Sequence, residues 1–192
     1  MPPLTATPTS GGATWGVPDV LTEDAASRAV VRRVRADEGR ALRAIRLAAL
    51  QESPAAFGST YEAEARRADG EWTEPAQRGA AGVDRVTFFA VVNNDIVGLV
   101  GGFRPDSGGS TVDLVSMWTA PAARRLGVGR ALVAAVLQWA TEVSATTVHL
   151  WVTQGNEPAL RLYESMGFRP TGESQPLPSD PARDELAMTR DL

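Results

Sequence analysis

The sequence predicts an α/β domain built on a central sheet, and three observations carry that reading. Apolar, β-branched runs at 30–35, 85–92, 96–103, 111–119 and 146–153 read as strands. Between them lie stretches with apolar residues at helical spacing: Leu42, Ile45, Leu47 and Leu50, then Leu126, Val133, Val136, Leu137 and Ala140. A glycine-containing turn separates the fourth strand from the second of these stripes, and no internal repeat is present.

Residues 1–28 carry Pro2, Pro3, Pro8, Gly11, Gly12 and Pro18 among Thr, Ser and Ala, with Trp15 the only large apolar anchor. This composition reads as a flexible arm, and the folded domain is expected over 29–192. The first strand leads through Asp37, placed to cap, into the first apolar helix. Ser53, Pro54 and Gly58 interrupt the chain before a second, polar helix expected over 60–77, which carries Glu62, Glu64, Glu71, Trp72 and Glu74. Asn93, Asn94 and Asp95 tolerate left-handed turn geometry, so the second and third strands form a hairpin. The fourth strand stops at Ala120 and Pro121, and the following helix runs to about Val143. After the fifth strand a short helix is expected over 158–165, with Pro158 in the first turn, where a missing N–H costs nothing, and Gly167 at its end. Segments 168–170 and 185–190 are expected as closing strands.

Composition narrows the chemistry. A chain of 192 residues, 43% hydrophobic and 22% charged, fits one soluble domain. The formal charge of −4 supplies no field to gather nucleic acid or an anionic membrane. No apolar run approaches the roughly 20 residues that cross a bilayer, and no signal-like segment opens the chain, so a cytoplasmic protein is expected. Cysteine is absent, which removes disulfides, thiolate zinc sites and a cysteine acyl-enzyme. All 19 basic residues are arginine, so Schiff-base and Walker lysines are excluded as well. A single histidine, His149, cannot build a multi-histidine metal site, and no metal is expected.

The most informative segment is Arg124-Arg125-Leu126-Gly127-Val128-Gly129-Arg130, between a strand and an apolar helix. Glycines remove the Cβ atoms that would hold an anion away from backbone N–H groups, and the orphan donors of a helix start, with its dipole, favour a diphosphate. Three arginines add charge. Leu132 stands where the dinucleotide fingerprint needs glycine, and no GK[ST] follows. Two glycines alone fit an ordinary helix start as well as a phosphate cradle.

The surrounding residues resemble one family. Arg124-x-x-Gly127-x-Gly129 after a strand ending Met117-Trp118-Thr119-Ala120-Pro121 resembles the acyl-CoA pyrophosphate motif of the GNAT superfamily of N-acyltransferases. Asn156, Ala159, Leu162, Tyr163, Glu164, Gly167 and Phe168 match the pattern that follows the fifth strand in many members, and 57–60 resembles a segment of one bacterial branch. The resemblance covers about 30–190. It implies a mixed, mostly antiparallel sheet of six or seven strands, with strands four and five splayed apart and about four flanking helices. It also implies acetyl-CoA as acyl donor, a small-molecule amine as acceptor and no covalent acyl-enzyme, and it leaves a homodimer open. A protein N-terminus or lysine is the alternative acceptor, and a non-catalytic acyl-CoA sensor the rival from another class.

Roles follow by the same resemblance. Met117, Trp118 and Thr119 would offer backbone groups to the pantetheine arm, Arg124, Arg125, Leu126, Gly127, Val128, Gly129 and Arg130 would hold the pyrophosphate, and Asn156 would contact the arm or cap a helix. Amine attack needs a neutral amine, and an ammonium of pKa near about 10 is mostly protonated at pH 7, so a base or water wire is required. Asp113 is the first choice, four residues before Met117, against a solvent-facing strand carboxylate. Tyr163 would protonate the leaving thiolate. Where other members keep a Glu on the fifth strand, this chain has Trp151, which points to an apolar or aromatic acceptor. His149 shares a strand face with Trp151 by period two and is a second base or an exposed side chain. Glu71 and Trp72 fall where the acceptor site is capped, and would bind a cationic amine unless they belong to a solvated helix face.

Overall fold

In the computed structural model, residues 29–105 and 109–192 are described, so the expected arm at 1–28 lies outside them. Seven strands form one sheet in the order β1-β2-β3-β4-β5-β7-β6. They are β1 (Val30–Arg33), β2 (Arg85–Val92), β3 (Asp95–Phe103), β4 (Thr111–Thr119), β5 (Thr147–Thr153), β6 (Arg169–Leu177) and β7 (Asp180–Asp191). Every neighbouring pair is antiparallel except β4 and β5. The hairpin turn forms as expected, with Asn93 and Asn94 at φ of 49° and 72°. The closing strands are longer than the sequence indicated: β6 and β7 make one long hairpin. Their exposed, charged faces hide them from any hydrophobic pattern, since β6 buries only Leu177.

Five α-helices are described, α1 (Gly39–Glu52), α2 (Tyr61–Ala65), α3 (Thr73–Ala81), α4 (Val128–Glu142) and α5 (Glu157–Ser165). The helix expected over 60–77 is broken in three: α2, a 3-10 turn at Asp69–Trp72, and α3. Extended Ala68, at ψ 153°, starts a new turn there, and the Glu71 carboxylate accepts the Ala68 N–H at 2.7 Å. Asp37 is not the cap of α1. Its neighbour Glu38 closes that turn, accepting the Arg35 N–H and a two-pronged contact from Arg32.

The helices divide between the two sheet faces. Paired residues Thr87 and Gly101 face α3, where Gly79 approaches Thr87, while their neighbours Val86 and Gly102 face α4, where Gly102 lies against Trp139 and Val136. Burial on the α4 face is complete at Leu132, Val133 and Val136. The other face is covered by α1 and α3 over β2 and β3 but left partly open over β4 and β5, at Asp113, Val115, His149 and Trp151. That open strip decides where the site lies. Among the described residues no helix is long and apolar enough to cross a membrane.

Candidate active site

The parallel pair in the middle of the sheet does not stay a pair. Thr111, Val112 and Asp113 register with Thr147, Val148 and His149, and beyond Asp113 and His149 the strands part. β4 remains bonded to β3 and β5 to β7, so 114–119 and 150–153 face each other with ladder groups unpaired inside the sheet. Unpaired N–H and C=O groups in such a place are a ready template for an extended, amide-bearing ligand. A bulge sharpens the parting: Leu99 pairs with Trp118 but Gly101 with Val115, giving β4 one extra residue, with Ser116 at φ 55°.

At the far end of the gap lies the glycine turn. Gly127 adopts φ +81° as the residue before α4, a conformation that favours glycine, and a Cβ there would meet nothing within 4 Å. The turn therefore opens to solvent with the first N–H groups of a 15-residue helix behind it. Gly129 lies deeper: a Cβ would meet Leu162 at 3.2 Å, Met117 at 3.3 Å and Thr119 at 3.7 Å. The end of β4, the glycine turn and α5 thus converge on one point. Val128 is buried beneath the turn, and Leu126 is half-buried beside it.

The three arginines of this segment differ. Arg124 donates to the Thr119 carbonyl at 3.1 Å and pairs with Glu52 at 2.5 Å; Glu52 also accepts the Trp118 Nε1–H at 3.0 Å. Burial pushes the Glu52 carboxyl up, but hydrogen bonds from Ser53, Trp118 and Arg124 outweigh it and hold the group below its usual range. Arg124 and the Trp118 indole are therefore structural braces between α1 and the end of β4. Arg130 donates to Ser165 Oγ at 2.9 Å, joining α4 to α5. Arg125, exposed and at φ 63°, has no ion pair among the described residues.

Asp113 and His149 sit where the strands part, and Tyr163 lies on α5. Asp113 Oδ1 lies 2.9 Å from His149 Nδ1, both about one-fifth to one-quarter exposed at 24% and 20%. A carboxylate only accepts, so Nδ1 donates to Asp113, and in the neutral ring Nε2 is then the acceptor. Trp151 meets the His149 ring edge-on, with centroids 5.4 Å apart. Tyr163 lies on α5, 5% exposed, against Phe168 at 5.7 Å. Burial pushes its phenol well above the usual value, so the group holds its proton across the physiological range. Asn156 precedes α5, and its Oδ1 accepts the Ala159 N–H at 3.3 Å; its amide nitrogen makes no hydrogen bond among the described residues.

On the open face a cavity of about 370 Å³ lies between α1, the 64–75 segment and β2 to β4, reaching Val115 and Ser116 at the bulge. Trp72 lines it, 3% exposed, with the Arg67 guanidinium 4.5 Å over its ring. Glu71 stands outside, exposed, with one oxygen on the Ala68 N–H. Arg46 and Glu64 join across the cavity wall at 2.8 Å, each 13% exposed. Burial pushes the Glu64 carboxyl up, but the Arg46 hydrogen bonds and charge prevail and lower it. Sequence reading missed this pair, as well as Arg67 and Arg85 in the lining, because arginine on a polar helix face or strand end carries no local sign of convergence. The loop after α1 closes over the end of β5: the Thr153 hydroxyl donates to the Ala55 carbonyl at 2.8 Å, and Ser179 Oγ donates to the Phe57 carbonyl.

Comparison with known proteins agrees with this geometry. The family model described as Acetyltransferase (GNAT) family matches residues 43–168. N-acetyltransferase 8 of Rattus norvegicus is 38% identical over 96 residues, 47% of this chain and 43% of that protein, so the chain spans less than half of this relative's length. The ribosomal-protein-alanine N-acetyltransferase of Brucella melitensis superposes with a TM-score of 0.66 at 24% identity, over 85% of this chain and 99% of that one. An N-acetyltransferase of Thermoplasma acidophilum in complex with coenzyme A superposes with a TM-score of 0.68 at 12% identity, over 85% and 99%. With the splayed strands, the glycine turn and the match over most of the domain, the chain belongs to the acetyltransferase (GNAT) family.

Proposed function

We propose that this protein is an N-acetyltransferase that moves the acetyl group of acetyl-CoA to the amine of a small molecule by direct attack in a ternary complex. The observation that carries the reading is the parting of β4 and β5 after Asp113 and His149, which leaves two backbone edges unpaired in the interior of a sheet. The residues present fit the donor: the Gly127 turn is open above its backbone, and Gly129 lets β4, α4 and α5 pack closely, a Cβ there meeting Leu162 at 3.2 Å and Met117 at 3.3 Å. Met117, Trp118 and Thr119 would offer backbone groups to the pantetheine amides. N–H groups of 128–130 with Arg125 would hold the pyrophosphate, Arg124 and Arg130 bracing the turn from either side. The free amide nitrogen of Asn156 would donate to the arm.

In the reaction the amine nitrogen bonds the thioester carbon, the C–S bond breaks, and one proton leaves the nitrogen while one reaches the sulfur. His149 Nε2 takes the first, with Asp113 fixing the tautomer and stabilising the imidazolium. Tyr163 gives the second. Its raised pKa keeps it protonated until the thiolate is expelled. Trp151 and Trp72 would line the acceptor side. The pinned Ser53-to-Thr60 loop supports a small molecule over a polypeptide, since Ala55 and Phe57 are tied to Thr153 and Ser179. A cavity of about 370 Å³ is also of small-ligand size. Thiol release with a panel of amino acids, polyamines, aminoglycosides and N-terminal peptides tests the reading: turnover on a small amine supports it, and turnover on peptides alone contradicts it.

A further inference from the structure

The cavity beside the bulge is unusually rich in donors for a protein of net charge −4. Its charged lining is Arg46, Arg67 and Arg85 against Glu64 and Glu74. Both carboxylates are already matched, Glu64 by Arg46 at 2.8 Å and Glu74 by Arg78, outside the lining, at 3.3 Å. Arg67 and Arg85 have no carboxylate within ion-pair distance among the described residues. Each lies near an aromatic ring, Arg67 at 4.5 Å from the Trp72 centroid and Arg85 at 5.4 Å from that of Phe103, so each guanidinium is supported by a cation–π contact. Arg67 donates once, to the Glu71 carbonyl at 3.0 Å, which leaves further N–H groups.

The cavity also connects to the chemistry. Val115 and Ser116 line its inner end, and Val115 shares a strand face with Asp113 two residues away, about 7 Å along the strand. We propose that the acceptor is an amine that also carries a carboxylate, its oxygens bound by Arg67 and Arg85 while the amino group lies toward the gap between β4 and β5. This assigns the cavity an anionic group where Glu71 and Trp72 alone suggested a cationic one. It rests on the reading of that gap as the site of acetyl transfer.

The test has two arms, so that the two claims fail separately. In the first, amino acids from glycine to 6-aminohexanoate are compared with their carboxamides as acceptors, by kcat/KM in thiol release. In the second, the N-acetylated acids and their amides are titrated calorimetrically into the CoA-loaded protein, which needs no turnover. The best acid is expected to exceed its amide about tenfold or more in both arms, the scale of one charge-assisted, two-pronged contact. In Arg67→Gln and Arg85→Gln the preference falls to within about twofold, with acetyl-CoA affinity retained. Arg85→Gln is the cleaner variant, since Arg85 is exposed and its loss leaves the core intact. Equal binding of acids and amides by the parent, or a preference that survives both substitutions, overturns the proposal. Acid-selective binding with no turnover of any amine would uphold the anion site while removing the catalytic reading.

Discussion

Asp113 and His149 form the last register pair between β4 and β5, and their side chains meet there at 2.9 Å. The point where the sheet opens is thus also the point where a carboxylate fixes an imidazole. Replacing His149 with Gln is expected to lower kcat by about 10²-fold or more while acetyl-CoA affinity holds, because a positioned base contributes on that scale. Asp113→Asn is expected to cost less, since it keeps a side-chain acceptor for the Nδ1–H and loses only the charge. Steady-state kinetics on both variants checks this, and equal, small losses would favour water as the proton carrier.

Tyr163→Phe is expected to reduce turnover strongly and stability little. The ring keeps its contact with Phe168, and the hydroxyl has no hydrogen-bond partner among the described residues. Tyr163→Ala, by contrast, should cost about 3 to 5 kcal/mol through the cavity it leaves. Pre-steady-state thiol release separates chemistry from folding.

The raised pKa of Tyr163 has a linked effect at high pH. Its folded value lies above the unfolded value of about 10, so the folded state binds the proton more tightly. That stability is fully present below pH 10 and is lost as pH rises through the folded value. Denaturant melts between pH 8 and 11 should show a decline in the parent that is reduced in Tyr163→Phe.

Glu64 gives the opposite slope. Its carboxyl is held below the usual 4.5, so its contribution is present above that value and is lost as pH falls through the lowered one. Arg46→Ala leaves the half-buried Glu64 with only Ser59 and the more distant Arg67 charge, and is expected to cost about 2 kcal/mol at neutral pH, discounted from a fully buried pair. The pH dependence of melting below 4.5 in Glu64→Gln checks the assignment, since that slope should flatten.

Arg125 and Arg124 should respond differently to alanine. Arg125 is free of ion pairs among the described residues, so its loss should weaken acetyl-CoA binding by a few fold, more at low salt. Arg124 braces Thr119 and Glu52, so its loss should lower thermal stability as well. Calorimetry at two ionic strengths with a melting curve distinguishes the two roles.

Residues that act through backbone and spacing were legible in the sequence. Strand β4 matches its expected bounds, because 111–119 is a β-branched run closed by Ala120 and Pro121. The Gly127 turn was legible because only a helix start needs that pattern of missing side chains. Long-range pairing was not. Asp113 and His149 are 36 residues apart, and period two sets a side chain's face but not its partner. Arg67, Arg85 and Trp72 share one cavity only because the helix expected over 60–77 breaks at Ala68, where a single carboxylate, Glu71, restarts the turn. The exposed β6 carries no alternation to read, so its length emerged only from pairing with β7.

Calorimetric titration of acetyl-CoA into the parent protein and into Gly127→Glu, each verified as folded by circular dichroism, tests where the acyl donor binds. Stoichiometric binding by the parent is expected, and it is lost when a carboxylate occupies the open turn. No binding by the parent, or equal affinity in the variant, would contradict the placement of the donor between β4, β5 and the Gly127 turn.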